Sequence, residues 1–372
     1  MRVAFFGGFD SSYPRVRVFR EGLESQGIEV RDLASLGAWA ARGRGVDALL
    51  VPAFGHRDVP LAAALGRLAG VPVLFDPLVS RWDTQVGDLG RVRRGGFTAA
   101  RLAWSDRLSL GLADLVLCDT WEHADLFGAR FGVPRAKMAR VPVGADLATF
   151  ARGAARASAA AGAERSAGAA GAAAVAPAPL DVVYVGGFLP LHGVETIVAA
   201  ASLLEARHGF GFARFTLVGA GMLAHRTARD AAAAGLRSLR MTGRLPYDRA
   251  MELLARADLA LGIFGAGEKA GRVVPHKVFQ SLALSVPTVT RRSAAIAEFF
   301  RDREHLALVP AADAPALAGA IESLAADRAA RERMGAAGRA AAIEAGHPSR
   351  IGALLAGAVR SARERTAPKR RT

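Results

Sequence analysis

From Arg2 the chain runs RVAFFGG, an unbroken apolar stretch closed by two glycines, and behind it Val16 to Gln26 carries apolar residues at helical spacing. The couple then repeats. Ile28 to Leu33, Ala48 to Pro52 and Val71 to Phe75 read as strands, with an apolar helix from Leu61 to Ala69 between the last two; Leu115 to Cys118 and Met138 to Val141 add two more. Short continuous apolar runs separated by helical segments predict parallel strands buried on both faces. This half is expected to be Rossmann-like.

Residues 151–179 interrupt the pattern with ARGAARASAAAGAERSAGAAGAAAVAPAP, which has no aromatic residue and almost no large aliphatic one. A flexible interdomain insertion is the expectation. The alternation then restarts: Asp181 to Val185 ends in Gly186 and Gly187, Val194 to Arg207 is helical, and Phe215 to Val218, Leu239 to Thr242, Leu259 to Phe264 and Thr288 to Thr290 supply further strands. The resulting fold class is α/β, with a Rossmann-like half at 1–150, the insertion at 151–179, a second Rossmann-like half at 180–350, and a helix with a basic tail at 351–372. Helices are expected at Ala314 to Ala326 and Arg331 to Ala345, and one from Ile351 to Glu364 that crosses back to the first half. Ligands of such folds bind at the carboxyl ends of strands, in a cleft between the halves.

Composition narrows the setting. Of 372 residues, 51% are hydrophobic and 22% charged, which excludes a disordered chain and suits two domains. Cys118, the single cysteine, has no internal disulfide partner, and no Cys and His cluster has zinc-ligand spacing, so a reducing cytosol is expected. No signal peptide and no spanning segment are evident, which gives a cytoplasmic protein, at most one lying on the inner membrane surface. The net charge is +15, and residues 181–372 hold 27 Lys and Arg against 17 Asp and Glu. Such a surplus suits phosphate. Nucleic acid is not expected, because basic residues are not interleaved with aromatics in any recognisable module.

Three glycine clusters follow strand ends: Gly7-Gly8, Gly186-Gly187 and Gly219-Ala220-Gly221. Glycine there permits a sharp turn and close approach of a ligand to the backbone, and the helix behind offers free amides to an anion. None spells G-x-G-x-x-G, so a nicotinamide site is not supported. In Gly262 to Thr290 a strand ends at Phe264, a glycine-rich loop carries Glu268, Lys269 and Arg272, and Pro275 opens a helix. Lys269, Arg272 and Lys277 are therefore expected to converge near a helix amino terminus, a combination that suits a diphosphate.

The phrases VGGFLPLHGVETI, LGIFG with RVVPHKVFQSLA, and LFDPLVS followed by DT occur in an order that resembles glycosyltransferase family 4, nucleotide-sugar-dependent enzymes of the GT-B architecture. The likeness covers nearly the whole chain outside 151–179 and the tail. It implies a donor held by the second domain, an acceptor facing the first, and transfer with retention of configuration. The family's Arg and Lys on the donor diphosphate fall on Gly187 and His192, and its two glutamates, eight positions apart, fall on Arg272 and Gln280. The family's histidine near the transferred sugar falls on Asp76. Relocation of charge to Lys269, Arg272 and Lys277 is the expectation, with Gly7 and Gly8 as further diphosphate contacts and Gln280, Arg244 and Leu245 contacting the nucleoside. Asp76 and His123 are the catalytic candidates, although Asp76 before Pro77 also suits a turn, and Asp119-Thr120 followed by Glu122 resembles a helix cap.

No D-x-D triplet occurs, so neither a metal nor another cofactor is expected beside the nucleotide-sugar substrate. The acceptor is a glycan, a lipid-linked molecule or a small molecule. Gly90 to Leu110 mixes Arg91, Arg93, Arg94 and Arg101 with Phe97, Leu102, Trp104 and Leu108, a pattern that suits peripheral contact with an anionic leaflet. The alternatives are a nucleotide-sugar epimerase or hydrolase on the same fold, or a donor-binding partner subunit without activity, the latter suggested by the two altered glutamate positions.

Overall fold

The computed structural model describes residues 1–167 and 178–366. It divides into two compact α/β units. The first comprises 1–147, 272–274 and the chain from 345 onward; the second comprises 148–271 and 275–344.

In the first unit, β1 (Arg2–Phe6), β2 (Glu29–Leu33), β3 (Ala48–Val51), β4 (Val73–Phe75), β5 (Leu115–Cys118) and β6 (Met138–Arg140) form one sheet in the order β2-β1-β3-β4-β5-β6. Every pairing is parallel. Alternation along the strands sorts the core into two layers. Val3, Phe5, Leu50 and Leu117 join Val16, Phe19 and Leu23 of one helix and Ile351, Leu355 and Val359 of another. Ala4, Phe6, Leu49 and Val51 face the opposite way, against Val59, Leu65, Leu102 and Phe127. The helix Pro348–Thr366 lies on the helix Pro14–Ser25, and their backbones touch where two glycines meet: a Cβ on Gly352 would stand 1.9 Å from the Gly22 carbonyl oxygen.

The second unit repeats the plan with β7 (Leu180–Val185), β8 (Ala213–Val218), β9 (Leu239–Gly243), β10 (Leu259–Leu261), β11 (Thr288–Arg291) and β12 (Ala307–Val309), ordered β12-β11-β10-β7-β8-β9 and again all parallel. The strand order reverses beside β1 in the first sheet and beside β7 in the second. In doubly wound sheets that reversal opens a crevice at the carboxyl end of the strand. Gly7 and Gly186 follow those two strands.

Two expectations change. Strand β12 was not read from the sequence, since its three residues give too short an apolar run. The insertion expected to be flexible begins as a helix, Leu147–Ala167, because alanine is the strongest helix former and a low-complexity alanine run satisfies that preference. Gly153 brings that helix against His276–Ala283: a Cβ there would stand 1.9 Å from the Ala283 carbonyl oxygen. The remainder of the insertion, 168–177, and the basic tail, 367–372, lie outside the described residues.

Candidate active site

The carboxyl end of β7 in the second unit is built around a buried lysine. Pro275 sets the helix His276–Ala283, and Lys277 in its first turn is only 6% exposed. Its Nζ donates to the Tyr184 hydroxyl at 3.1 Å and lies 4.4 Å from the centre of that ring. Tyr184, at the end of β7 and fully buried, donates in turn to the Gly187 carbonyl at 2.6 Å. Gly186 is glycine for space, since a Cβ would stand 2.5 Å from Lys277 Nζ. His192 donates through Nδ1 to the same Gly187 carbonyl.

Burial pushes the Lys277 ammonium well below its ordinary pKa, and no carboxylate offsets the effect. Burial also drives His192 well below its ordinary value, with the nearby Lys277 charge adding to the shift. The Tyr184 hydroxyl is pushed well up, by burial first and by Glu195 second. A basic pair held in the low-dielectric interior without an anion is an arrangement that an incoming anion relieves.

The other predicted donor residues have surroundings of their own. Lys269, on the short helix Glu268–Arg272, is buried in the same unit and adds a weaker charge effect on His192. Gln280 is buried and its Nε2 donates to the Tyr247 hydroxyl at 3.2 Å, which also meets Thr149 Oγ1 at 3.2 Å. Arg244 is exposed after β9. Leu245 lines a groove of about 720 Å³ with Arg214, Arg240, Arg249 and Arg256, none of them a residue of the Lys277 cluster.

Arg272 closes the short helix Glu268–Arg272 that also carries Lys269, and its Nη2 meets Asp83 Oδ1 at 2.7 Å. A guanidinium already neutralised by a buried carboxylate is a poor diphosphate ligand. Gly7 and Gly8 differ in their surroundings: nothing stands within 4 Å of where a Cβ on Gly8 would be. Gly7, at φ +106°, makes room for Asp58, whose carboxylate a Cβ would meet at 2.5 Å, and that negative charge repels an anion.

In the first unit, Asp76 follows β4 and is 1% exposed, with Oδ2 accepting from Arg15 Nε at 2.6 Å. Arg15 is fully buried and also donates to the Val141 carbonyl at 3.1 Å. Asp76 Oδ1 and Arg15 Nη1 are buried with no hydrogen-bond partner. Burial raises the Asp76 carboxyl pKa more than Arg15 lowers it. His123 stands in the first turn of the helix Trp121–Phe131, its Nδ1 2.8 Å from Asp119 Oδ1. Thr120 caps that helix as its sequence suggests, accepting from the His123 amide at 3.0 Å and donating to the Arg272 carbonyl at 2.5 Å. Tyr184, Arg15 and Asp58 are not singled out by the sequence. Tyr184 reads there only as part of an apolar strand.

Two family profiles match the chain: residues 7–144 fit the glycosyl transferase 4-like domain, and residues 179–327 fit glycosyl transferases group 1. Together they span most of the chain. It belongs to the family 4-like glycosyltransferases. The fold of this glycosyltransferase is of the GT-B type. HepE of Anabaena, solved with UDP and glucose, is 12% identical with a TM-score of 0.67 and covers 97% of this chain and 100% of its own. The sucrose-phosphate synthase of Thermosynechococcus elongatus is 16% identical, TM-score 0.69, with 97% and 98% covered. A glycosyltransferase of Rickettsia africae is 11% identical, TM-score 0.60, with 97% and 98% covered. Among curated proteins none matches the glycosyltransferase in sequence. Among its described residues no helix is long and apolar enough to cross a membrane, and no group of three or more His, Cys, Asp or Glu side chains is placed to hold a metal ion.

Proposed function

We propose that the enzyme moves a sugar from a nucleoside-diphosphate sugar to an acceptor hydroxyl, with retention of configuration and without a metal. The observation that carries this reading is Lys277, a buried cation with no carboxylate to offset it, at the carboxyl end of β7. As the glycosidic bond breaks, negative charge gathers on the departing diphosphate. Lys277, with His192 and Lys269 near it, stabilises that charge more in the transition state than in the bound donor. The absence of a D-x-D triplet supports a cation-based rather than metal-based diphosphate site. HepE complexes with UDP and with UDP-glucose favour a uridine donor.

A thermal-shift screen of UDP, GDP, ADP and their sugar conjugates tests the reading. The matching nucleotide at a hundred times its Kd should stabilise the fold by about 2.7 kcal/mol. If none raises the melting temperature, the donor-binding reading is wrong. Labelled donor incubated with a lipid and glycan extract then separates transfer from hydrolysis, epimerisation or binding alone. Label on an acceptor decides for the transferase.

The acceptor's location has its own clue. On the helix Phe97–Leu112, Phe97, Arg101 and Trp104 share one face by spacing, with Phe97 84% and Trp104 63% exposed. Exposed aromatics beside arginine suit an anionic bilayer surface and hence a lipid-linked acceptor. The protein should sediment with vesicles of phosphatidylglycerol and phosphatidylcholine, and a Phe97→Ser, Trp104→Ser variant should remain in the supernatant. Equal sedimentation of both proteins would dismiss membrane contact.

A further inference from the structure

The loop behind β3 holds a strained, exposed aromatic side chain that the donor chemistry does not use. We infer that Phe54 and Asp58, beside the glycines after β1, form a subsite that binds a neutral pyranose ring, distinct from the sugar carried by the donor nucleotide. The choice of a sugar as ligand rests on the transferase reading above. The subsite itself is built from residues of the first unit alone.

Phe54 has φ +69°, in the left-handed region that a residue with a Cβ occupies only at a cost. Among the described residues it is the one aromatic found there. Burial does not offset that cost, because the residue is 54% exposed. The surrounding loop fixes it instead: the Gly55 amide donates to the Pro52 carbonyl at 3.1 Å, the Asp58 amide donates to the Gly55 carbonyl at 2.9 Å, and the Tyr13 ring meets Phe54 edge to face at 5.2 Å. Strain held in this way clusters at ligand sites.

β1 and β3 pair directly and the strand order reverses between them, so the loops that follow these strands border the crevice at which an open α/β sheet takes its ligands. On the β1 side the space over Gly8 is open, and Asp10 holds the loop by accepting from the Ser12 amide and hydroxyl at 2.8 and 2.6 Å. On the β3 side the Asp58 carboxylate lies against Gly7 and, among the described residues, has neither an ion pair nor a side-chain hydrogen bond. These two groups select the ligand. The C–H groups of a pyranose carry partial positive charge and lie flat on the negative face of an aromatic ring, while its hydroxyls donate to a carboxylate. An anion would be repelled by Asp58.

The test is saturation-transfer NMR on the full chain, irradiating aromatic protons in the presence of methyl α-glucoside, methyl α-galactoside, methyl α-mannoside or choline. At least one glycoside should receive saturation on its ring protons. Phe54→Ala and Phe54→Gly should each weaken its binding by about tenfold or more and Asp58→Asn by about fivefold, while Phe54→Trp should keep it within about twofold. Phe54→Gly should also melt above Phe54→Ala, since glycine adopts the left-handed conformation without penalty. The reverse order would remove the strain on which the inference rests. Saturation of no glycoside, saturation of choline alone, or unchanged glycoside binding in Phe54→Ala refutes the subsite and leaves the donor reading untouched. If a glycoside binds through Phe54 while no nucleotide raises the melting temperature, the transferase reading fails and the subsite stands. Should the Phe54 variants fail to fold, the wild-type spectra and Asp58→Asn still decide, because equal glycoside binding in those two proteins overturns the proposal.

Discussion

Replacing Lys277 with methionine should weaken UDP binding by roughly 10- to 100-fold and at the same time raise the melting temperature of the ligand-free protein. The first effect follows from a charge-assisted hydrogen bond, worth about 1.5–3 kcal/mol, lost from the diphosphate. The second follows from burial. Nζ has the Tyr184 hydroxyl and ring for company but no carboxylate, so the folded state carries an ammonium that water would solvate far better. Methionine fills a similar volume without the charge. Calorimetry with UDP and a melting curve without it check both signs. A variant that binds UDP normally would remove Lys277 from the donor site.

The same lysine gives the pH dependence its sign. Burial lowers its pKa in the folded protein, so above that lowered value the unfolded chain binds more protons than the native one. Stability of the ligand-free protein therefore rises with pH through the interval between the lowered pKa and the ordinary lysine value. An anion reverses the preference, because it favours the charged ammonium and the charged His192 imidazole. Nucleotide binding should be accompanied by proton uptake and should weaken as pH rises, visible as a buffer-dependent heat of binding.

The second large effect belongs to Arg15. Arg15→Met should destabilise the fold by about 3–5 kcal/mol, since it leaves the Asp76 carboxylate buried and without its charge partner. Asp76→Leu on top of Arg15→Met should recover much of the loss, because removing both charges leaves neither uncompensated. Urea unfolding of the two single variants and the double variant measures the coupling. Equal losses in the single and double variants would show that the pair contributes nothing specific. The cycle also bears on the catalytic candidacy of Asp76: a carboxylate held for stability lowers activity only as far as it lowers the folded fraction.

Most of the fold was legible because parallel strands covered on both faces appear as continuous apolar runs, and ten of those runs fall within a few residues of the strands β1 to β9 and β11. Leu259 to Phe264 was also read, though only Leu259–Leu261 pairs as β10. The helix Leu147–Ala167 was misjudged because low complexity and helix propensity are both properties of alanine, and only propensity bears on local structure.

By itself the sequence determined the chemical types: apolar periods for two sheets, glycines at strand ends, and a loop rich in cations after β10. The tertiary structure decided which charges have partners. Arg272 finds Asp83 across 189 positions and Arg15 finds Asp76 across 61, while Lys277 is left with a tyrosine. Residue identity and local spacing act over a few positions along the chain. Burial and charge pairing depend instead on which distant segments return to the same place, and that is set only once the sheets have assembled.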